Sequence, residues 1–359
     1  ILNHHDDINR LNQRFGNRVA KSQKIDSPVI SEINRTGKHS APTEKIKNSE
    51  NQSSRAGFAL RKDGLLIVGH RGASASCPEN SIMALKRAID DGADAIEFDI
   101  QKTLDGEIVV LHDPTLDRVT GSKGRVMDRN FHGDIELLRS KKDPNCPIAL
   151  FQEVVDLMLM EENSHIWAMI DVKLLNPSSI FADIEKILRS RNDDLKIFST
   201  RFILGIWHPK YLPFAKTYLP DIPIAYIGVS LKIALEYFSC VDAYNVMYSS
   251  LTWNKEGRNF VEQAHQAGKP VFVWTVNTLE NAKECHNLNV DALMTDKPGY
   301  FVNFFGTNNP GTFEMTSLSW WYPKWFVSLY RRMLSWIVHI LGRYHLLKYG
   351  PLENVNFEM

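Results

Sequence analysis

From about residue 64 onward, short apolar runs alternate with longer stretches in which apolar residues recur every three or four positions. Nine runs have the length of a strand: 65–68, 95–100, 108–111, 166–173, 202–207, 222–227, 243–247, 271–276 and 292–295. Helical spacing appears at Ile82, Leu85 and Ile89, after a cap at Asn80 or Ser81 and before Gly92, and again over 151–161, 178–191, 231–238, 259–267 and 279–288. Continuous apolar runs that each lead into an amphipathic helix are the signature of parallel strands buried on both faces. Their repetition over about 230 residues predicts a TIM-type (β/α)8 barrel. Nine runs are one too many for eight strands. Only Thr103, Leu104, Asp105 and Gly106 stand near the middle of the gap between the second and third runs, too few for a helix, and the pattern leaves open which run is the surplus one. Segment 114–147, with Gly121, Gly124, Gly133 and many charges, breaks the rhythm and reads as an insertion after the third strand.

The two ends are different material. Residues 1–64 are rich in Asn, Ser, Lys, Arg and Gln, nearly lack aromatics and show no sustained apolar period. Such a stretch buries too little surface to offset chain entropy, so it is expected to be a disordered tail. Two glycosylation-type triplets, Asn34-Arg35-Thr36 and Asn51-Gln52-Ser53, arise readily by chance in that composition. The chain begins with Ile, which leaves its native start and any targeting segment open. Toward the other end, Trp320, Trp321, Trp325 and Trp336 are half of the chain's 8 tryptophans, and Tyr322, Tyr330 and Tyr344 accompany them. Arg331-Arg332 divides this region into two apolar pieces, each short of the roughly 20 residues that a spanning helix needs. Aromatics mixed with arginines suit the lipid headgroup layer, so the expectation is an interfacial anchor or shallow hairpin; the alternative is an extra helix packed on the barrel. The resulting division is a tail at 1–64, a barrel at 65–306 and a membrane-associating, aromatic-rich segment at 307–359.

Composition adds bounds. A chain of 359 residues accommodates one large domain plus appendages, and 42 basic against 42 acidic residues give no reason to expect nucleic acid as a partner. Cys77, Cys146, Cys240 and Cys285 lie far apart, which suggests reduced thiols in an intracellular compartment.

The chemistry-bearing residues cluster at run ends. The first run delivers His70 and Arg71 to the start of a loop. In the second, Glu97 and Asp99 share one face of the strand while Ile96, Phe98 and Ile100 share the other. Two neighbouring acids on an apolar strand repel unless a cation lies between them, and a hard divalent ion with oxygen ligands, Mg2+ or Ca2+, is the natural candidate. A second imidazole, His112, follows the third run beside Asp113. On the fourth, Trp167, Met169, Asp171 and Lys173 fall on one face, with the acid and the lysine at the end where barrel enzymes carry their chemistry. The bland alternative is an Asp171-Lys173 pair that neutralises itself. Trp274, on the same face as Phe272, reads either as core or as a pocket wall, and His208 before Pro209 as a helix cap or surface residue.

Five spaced elements stand in order here: His70-Arg71-Gly72, Pro78-Glu79-Asn80, Glu97-Phe98-Asp99, Asp105-Gly106 and His112-Asp113. In these the chain resembles the glycerophosphodiester phosphodiesterase family, as it does in the Trp274-Thr275-Val276-Asn277 strand and in Met294-Thr295-Asp296-Lys297-Pro298. The resemblance runs from about residue 65 to 298. It implies a barrel enzyme in which His70 and His112 move protons and a divalent metal is held by Glu97, Asp99 and Asp171. Arg71 and Lys173 would neutralise the phosphate, Trp274 would border the glycerol pocket, and the insertion would cover the site. Asp171 departs from the glutamate usual in the family and is one methylene shorter, so its contact with the metal would be closer in or through water. Stretches 202–212 and 223–228 resemble the fungal branch that contains phosphatidylglycerol-specific phospholipase C. That likeness implies metal-dependent cleavage of phosphatidylglycerol to diacylglycerol and glycerol phosphate by an intracellular, membrane-associated enzyme. The partners would then be a glycerophospholipid substrate and, through the C-terminal segment, the membrane surface. The alternatives are a phosphodiesterase for soluble deacylated phospholipids and a non-catalytic lipid-binding barrel.

Overall fold

A computed structural model describes residues 64–252, 255–307 and 324–354. The expected disordered tail, the two glycosylation-type triplets and the aromatics at 320–322 lie outside the described residues. In chain order the elements are β1 (Leu66–His70), α1 (Ile82–Asp90), β2 (Ala95–Lys102), β3 (Ile108–Val110), α2 (Asp117–Thr120), α3 (Phe151–Leu159) and β4 (Trp167–Val172). Next come α4 (Ile180–Arg189), β5 (Phe202–Ile206), α5 (Leu212–Tyr218), β6 (Ile224–Gly228), α6 (Leu231–Tyr237), β7 (Ala243–Met247) and α7 (Tyr248–Thr252). The chain then forms α8 (Lys255–Gln266), β8 (Val271–Trp274), α9 (Leu279–Asn287), β9 (Ala292–Thr295), α10 (Pro298–Thr307) and α11 (Lys324–Leu347).

Eight parallel strands close on themselves in the order β1-β9-β8-β7-β6-β5-β4-β2, with β2 returning to β1. This is the predicted TIM-type barrel. The surplus run is β3, which lies outside the ring and pairs antiparallel to β2 with Ile100 opposite Val110. A connection this short can only fold the chain back on itself, because a parallel return needs a crossover. Thr103 Oγ1 donates to Asp105 Oδ1 at 2.6 Å inside that turn, and Asp105 in turn accepts the backbone N–H of Phe131 at 2.8 Å, tying the insertion to β2.

The strand alternation sorts side chains into two shells. Inside the barrel, Trp167, Met169, Phe272 and Met294 fit against the small Ala95, Ala225, Ala243 and Ala292. Outside, Ile96, Phe98 and Ile100 join Ala168, Ile170 and Val172 beneath the helices. The insertion carries a small core of its own around Leu116, Val126, Phe131 and Ile135. At α1 the cap is Ser81, whose Oγ accepts the Ala84 N–H at 3.0 Å; Asn80 is used elsewhere.

The C-terminal segment differs from the expected hairpin. Helix α11 is one continuous element of 24 residues that runs through Arg331-Arg332. Arginine is a good helix former, and no proline interrupts the stretch, so a pair of charges alone does not break it. Among the described residues no helix is long and apolar enough to cross a membrane. Its second half packs on the barrel: Leu346 is buried, Arg343 Nη1 donates to Tyr237 Oη at 2.9 Å, and His339 Nδ1 lies 2.8 Å from Ser230 Oγ. Beyond the helix, Gly350 O accepts from His208 Nε2 at 3.3 Å and Tyr349 O from Lys210 Nζ at 3.2 Å. His208 does cap the following turn, since its Nδ1 accepts the Lys210 N–H at 3.0 Å, but it is fully buried and not a surface residue.

Candidate active site

Strand register assembles the acids. His70 stands opposite Glu97 across the β1–β2 pair, and Asp99 stands opposite Asp171 across β2–β4. Carboxylate oxygens of Glu97, Asp99 and Asp171 therefore gather within 4.8 Å of one another, all three buried. Lys173 reaches back between two of them, with Nζ 2.5 Å from Asp99 Oδ1 and 2.6 Å from Asp171 Oδ2. It thus does more than neutralise Asp171. The remaining Asp171 oxygen accepts from Trp207 Nε1 at 2.7 Å.

The loop after β1 supplies the other partners. Asn80 holds Asp99 at two points, donating from Nδ2 to Oδ2 at 2.7 Å and accepting the Asp99 N–H at 3.1 Å. The Arg71 N–H donates to Glu97 Oε2 at 2.9 Å, and the guanidinium lies over the cluster with Nε 3.3 Å from Asp99 Oδ2. That Nε is buried and has no hydrogen-bond acceptor among the described residues. Arg71 and Asn80 both adopt left-handed backbone, φ 55° and 59°, to aim these groups. Gly72 is obligatory between them: a Cβ there would come within 2.4 Å of the Ala84 backbone.

Electrostatics follow from burial and charge. Burial pushes Glu97 up, and the charge of Asp99 adds to it, leaving the group at about 7. Burial would raise Asp99 too, yet the cations Lys173 and Arg71 overcome this and hold it well below the usual carboxylate range. Lys173 is held above its ordinary value because Asp171, Asp99 and Glu97 outweigh the burial that would lower it. Three buried oxygen-donor acids, one of them shifted up to about 7 for want of compensating charge, suit a divalent cation. The residues that could hold it are Glu97, Asp99 and Asp171.

Both imidazoles stand at this mouth. The ionised Asp296 carboxylate accepts from His70 Nδ1 at 2.7 Å, from Ser74 Oγ at 2.9 Å and from Asn277 Nδ2 at 2.6 Å. Despite its own burial these bonds and the His70 charge keep Asp296 low, at about 2. Burial would lower His70, but the Asp296 bond and the charge of Glu97 outweigh it and raise the ring above its ordinary value. His112 sits where β3 returns along β2, with Leu111 N–H donating to Asp99 O at 3.0 Å. Its Nδ1 lies 2.7 Å from Asp113 Oδ1, and burial together with Lys173 and Arg71 lowers its affinity for a proton against the pull of Asp99. Arg118 of the insertion joins the two halves: its Nη1 donates to Glu79 Oε2 at 2.6 Å and its Nε to Asp113 Oδ2 at 2.5 Å, while Glu79 also accepts from Arg71 Nη1 at 3.0 Å. Trp274 is half-buried and packs edge-on to Trp207, with ring centroids 5.6 Å apart.

The sequence profile of the Glycerophosphoryl diester phosphodiesterase family matches residues 70–300, the stretch that contains this whole constellation. The chain belongs to that family. A glycerophosphodiester phosphodiesterase of Caldanaerobacter subterraneus subsp. tengcongensis is 28% identical over 249 residues, which cover 66% of this chain and 96% of the relative. Glycerophosphodiester phosphodiesterase 1 of Bos taurus is 26% identical over 249 residues, 61% of this chain and 74% of the relative. In structure the chain is similar to a glycerophosphodiester phosphodiesterase of Agrobacterium tumefaciens, with a TM-score of 0.54, 20% identity, and coverage of 67% of this chain and 100% of that one. It is likewise similar to an Oleispira antarctica phosphodiesterase in complex with the product sn-glycerol-3-phosphate, with a TM-score of 0.55, 19% identity, and coverage of 67% of this chain and 97% of that one. At these identities the solved structures speak for the fold. As a member of the glycerophosphoryl diester phosphodiesterase family the chain is a phosphoric diester hydrolase.

All eight residues singled out from sequence, His70, Arg71, Glu97, Asp99, His112, Asp171, Lys173 and Trp274, lie at this one end of the barrel. Several of their partners are not singled out by the sequence reading. Asp296 follows the last strand at the end where barrel enzymes place their chemistry, which was a usable signal. Trp207 ends β5 in the same way. Nothing local marks Arg118, whose role depends on how the insertion folds back.

Proposed function

We propose that this family member hydrolyses diesters in which glycerol is one of the two alcohols, and that the mouth assembled from β1, β2 and β4 performs the reaction. Glu97, Asp99 and Asp171 would hold a divalent cation, Mg2+ or Ca2+, which would supply positive charge to the phosphate. Arg71 and Lys173 bring further positive charge to the same phosphate. The glycerol hydroxyl next to the ester gives its proton to one imidazole of the His70 and His112 pair, and its oxygen bonds to phosphorus. The bond from phosphorus to the other alcohol breaks, and that oxygen takes a proton from the second imidazole. Water then opens the cyclic phosphate with the two roles exchanged, leaving glycerol phosphate. Each such proton transfer is worth about 10²–10⁴-fold.

The substrate best supported is a soluble deacylated phospholipid of the glycerophosphocholine kind, because the relatives bear the name of glycerophosphodiester phosphodiesterases and one solved neighbour holds sn-glycerol-3-phosphate. The observation that carries the reading is the acid cluster with Lys173 between its members and an imidazole on either side. A second reading, phospholipase C-type cleavage of phosphatidylglycerol at a membrane surface inside the cell, is favoured by the exposed Trp336, Leu341, Tyr344 and Leu347 of α11 beside Lys348. Purified chain assayed on glycerophosphocholine and on phosphatidylglycerol vesicles, with and without a chelator, tests both. Turnover of the soluble diester that chelation abolishes is expected. Turnover that survives chelation removes the cation, faster vesicle hydrolysis favours the second reading, and a His70→Ala variant of undiminished rate overturns the catalytic assignment altogether.

A further inference from the structure

Beside the acid cluster, between the barrel mouth and α11, lies a cavity of about 420 Å³ bordered by Trp207, Met247, Trp274, Val338, Leu341 and Leu346. We infer that this cavity is a subsite for an unbranched alkyl or acyl chain carried by the leaving alcohol of the phosphodiester; the inference rests on the reaction proposed above but takes the leaving alcohol to be chain-bearing, as in the second reading, and not choline. Three observations carry it. The cavity adjoins the chemistry across one side chain: Trp207 donates from Nε1 to Asp171 at 2.7 Å, while the same residue borders the cavity. Its walls are mostly apolar: the α11 side carries Val338, Leu341 and Leu346 with His345 as its one polar side chain, and Trp274 packs on Trp207 with centroids 5.6 Å apart. Finally, α11 is held close enough to make a wall, since Gly342 sits where a Cβ would come within 3.2 Å of Val229 Cγ2, and Leu346 is buried.

A quaternary ammonium headgroup would be the other apolar-walled candidate. It is the poorer fit, because the Lys173 ammonium already stands 5.5 Å from the Trp207 ring centroid and the α11 wall offers a single imidazole, His345, among Val338, Leu341 and Leu346.

The test uses the full chain with divalent metal and glycerophospho-n-alkyl diesters from ethyl to decyl, each below its micelle-forming concentration. Burial of each added methylene is expected to raise kcat/KM about two- to fourfold until the cavity is filled. A flat or falling series, or glycerophosphocholine ahead of the decyl diester, overturns the inference. Val338→Trp, which fills the space, is expected to move the plateau to shorter chains, and Leu341→Glu to cut the decyl-to-ethyl ratio at least tenfold. Calorimetric binding of decyl phosphate against ethyl phosphate asks the same question without turnover. A decyl preference lost in Leu341→Glu supports the subsite even if no diester is hydrolysed, whereas equal affinities overturn it.

Discussion

Replacing Lys173 by methionine tests whether the lysine, and not the fold around it, keeps the acid cluster together. The ammonium sits 2.5 Å from Asp99 and 2.6 Å from Asp171, and both carboxylates are buried. Methionine retains most of the stem but leaves two acids facing each other with Arg71 as the nearest cation. Removing one member of a buried ionic group costs about 3–5 kcal/mol, because the partner charge stays buried without compensation. At about 2–4 °C per kcal/mol for a domain of this order of size, the metal-free Tm should fall by roughly 6–20 °C. The loss should shrink as the pH is lowered, since a proton shared between Asp99 and Asp171 can replace the ammonium. Added Mg2+ or Ca2+ should recover more stability in the variant than in the parent, and saturation at a hundred times Kd is worth about 2.7 kcal/mol. Differential scanning fluorimetry with and without chelator reads all three effects. A metal-free Lys173→Met protein that melts within about 2 °C of the parent would refute the reasoning, since its only physical content is the uncompensated charge.

Two further outcomes are expected. Asp296→Asn puts an amide N–H₂ among the donors of His70, Ser74 and Asn277 and removes the charge that favours protonated His70; kcat should fall by about 10²–10⁴-fold with little change in KM, and an unchanged kcat would show that Asp296 does not orient the ring. His208 is buried and, through that burial and the charge of Lys210, lowered to about 4, so the folded protein keeps it neutral. The unfolded chain takes up a proton as pH falls below about 6.5 while the folded one does not until about 4, so stability present above 6.5 should drain away across that window by an amount on the order of 3 kcal/mol. Urea midpoints at pH 7 and pH 4.5 measure it, with His208→Gln as the comparison; equal slopes in both proteins would exclude His208 as the source.

What could be read in the chain before any coordinates was whatever depends on local periodicity. Alternation along β2 places Glu97 and Asp99 on one face whatever the rest of the molecule does, and the same holds for Trp167, Met169 and Asp171 on β4. What could not be read depends on closure. Asp296 meets His70 only because β9 pairs with β1, Gly69 opposite Thr295, across 226 residues of sequence. Trp207 reaches Asp171 only because β5 lies beside β4 with Gly205 opposite Asp171. At α11 the chain stays helical through Arg331-Arg332, because both residues favour helix, and its second half packs on the barrel, which was the alternative to a hairpin. Register explains why the acids were legible and their partners were not: an acid on a strand announces its own face, whereas a partner is named by the neighbouring strand. It follows that the His70–Asp296 bond reports on the ring itself. An open barrel could still carry Glu97 and Asp99 side by side on β2, but it would leave His70 without the carboxylate that raises its affinity for a proton, so the proton affinity of His70 is coupled to closure of the β1–β9 seam.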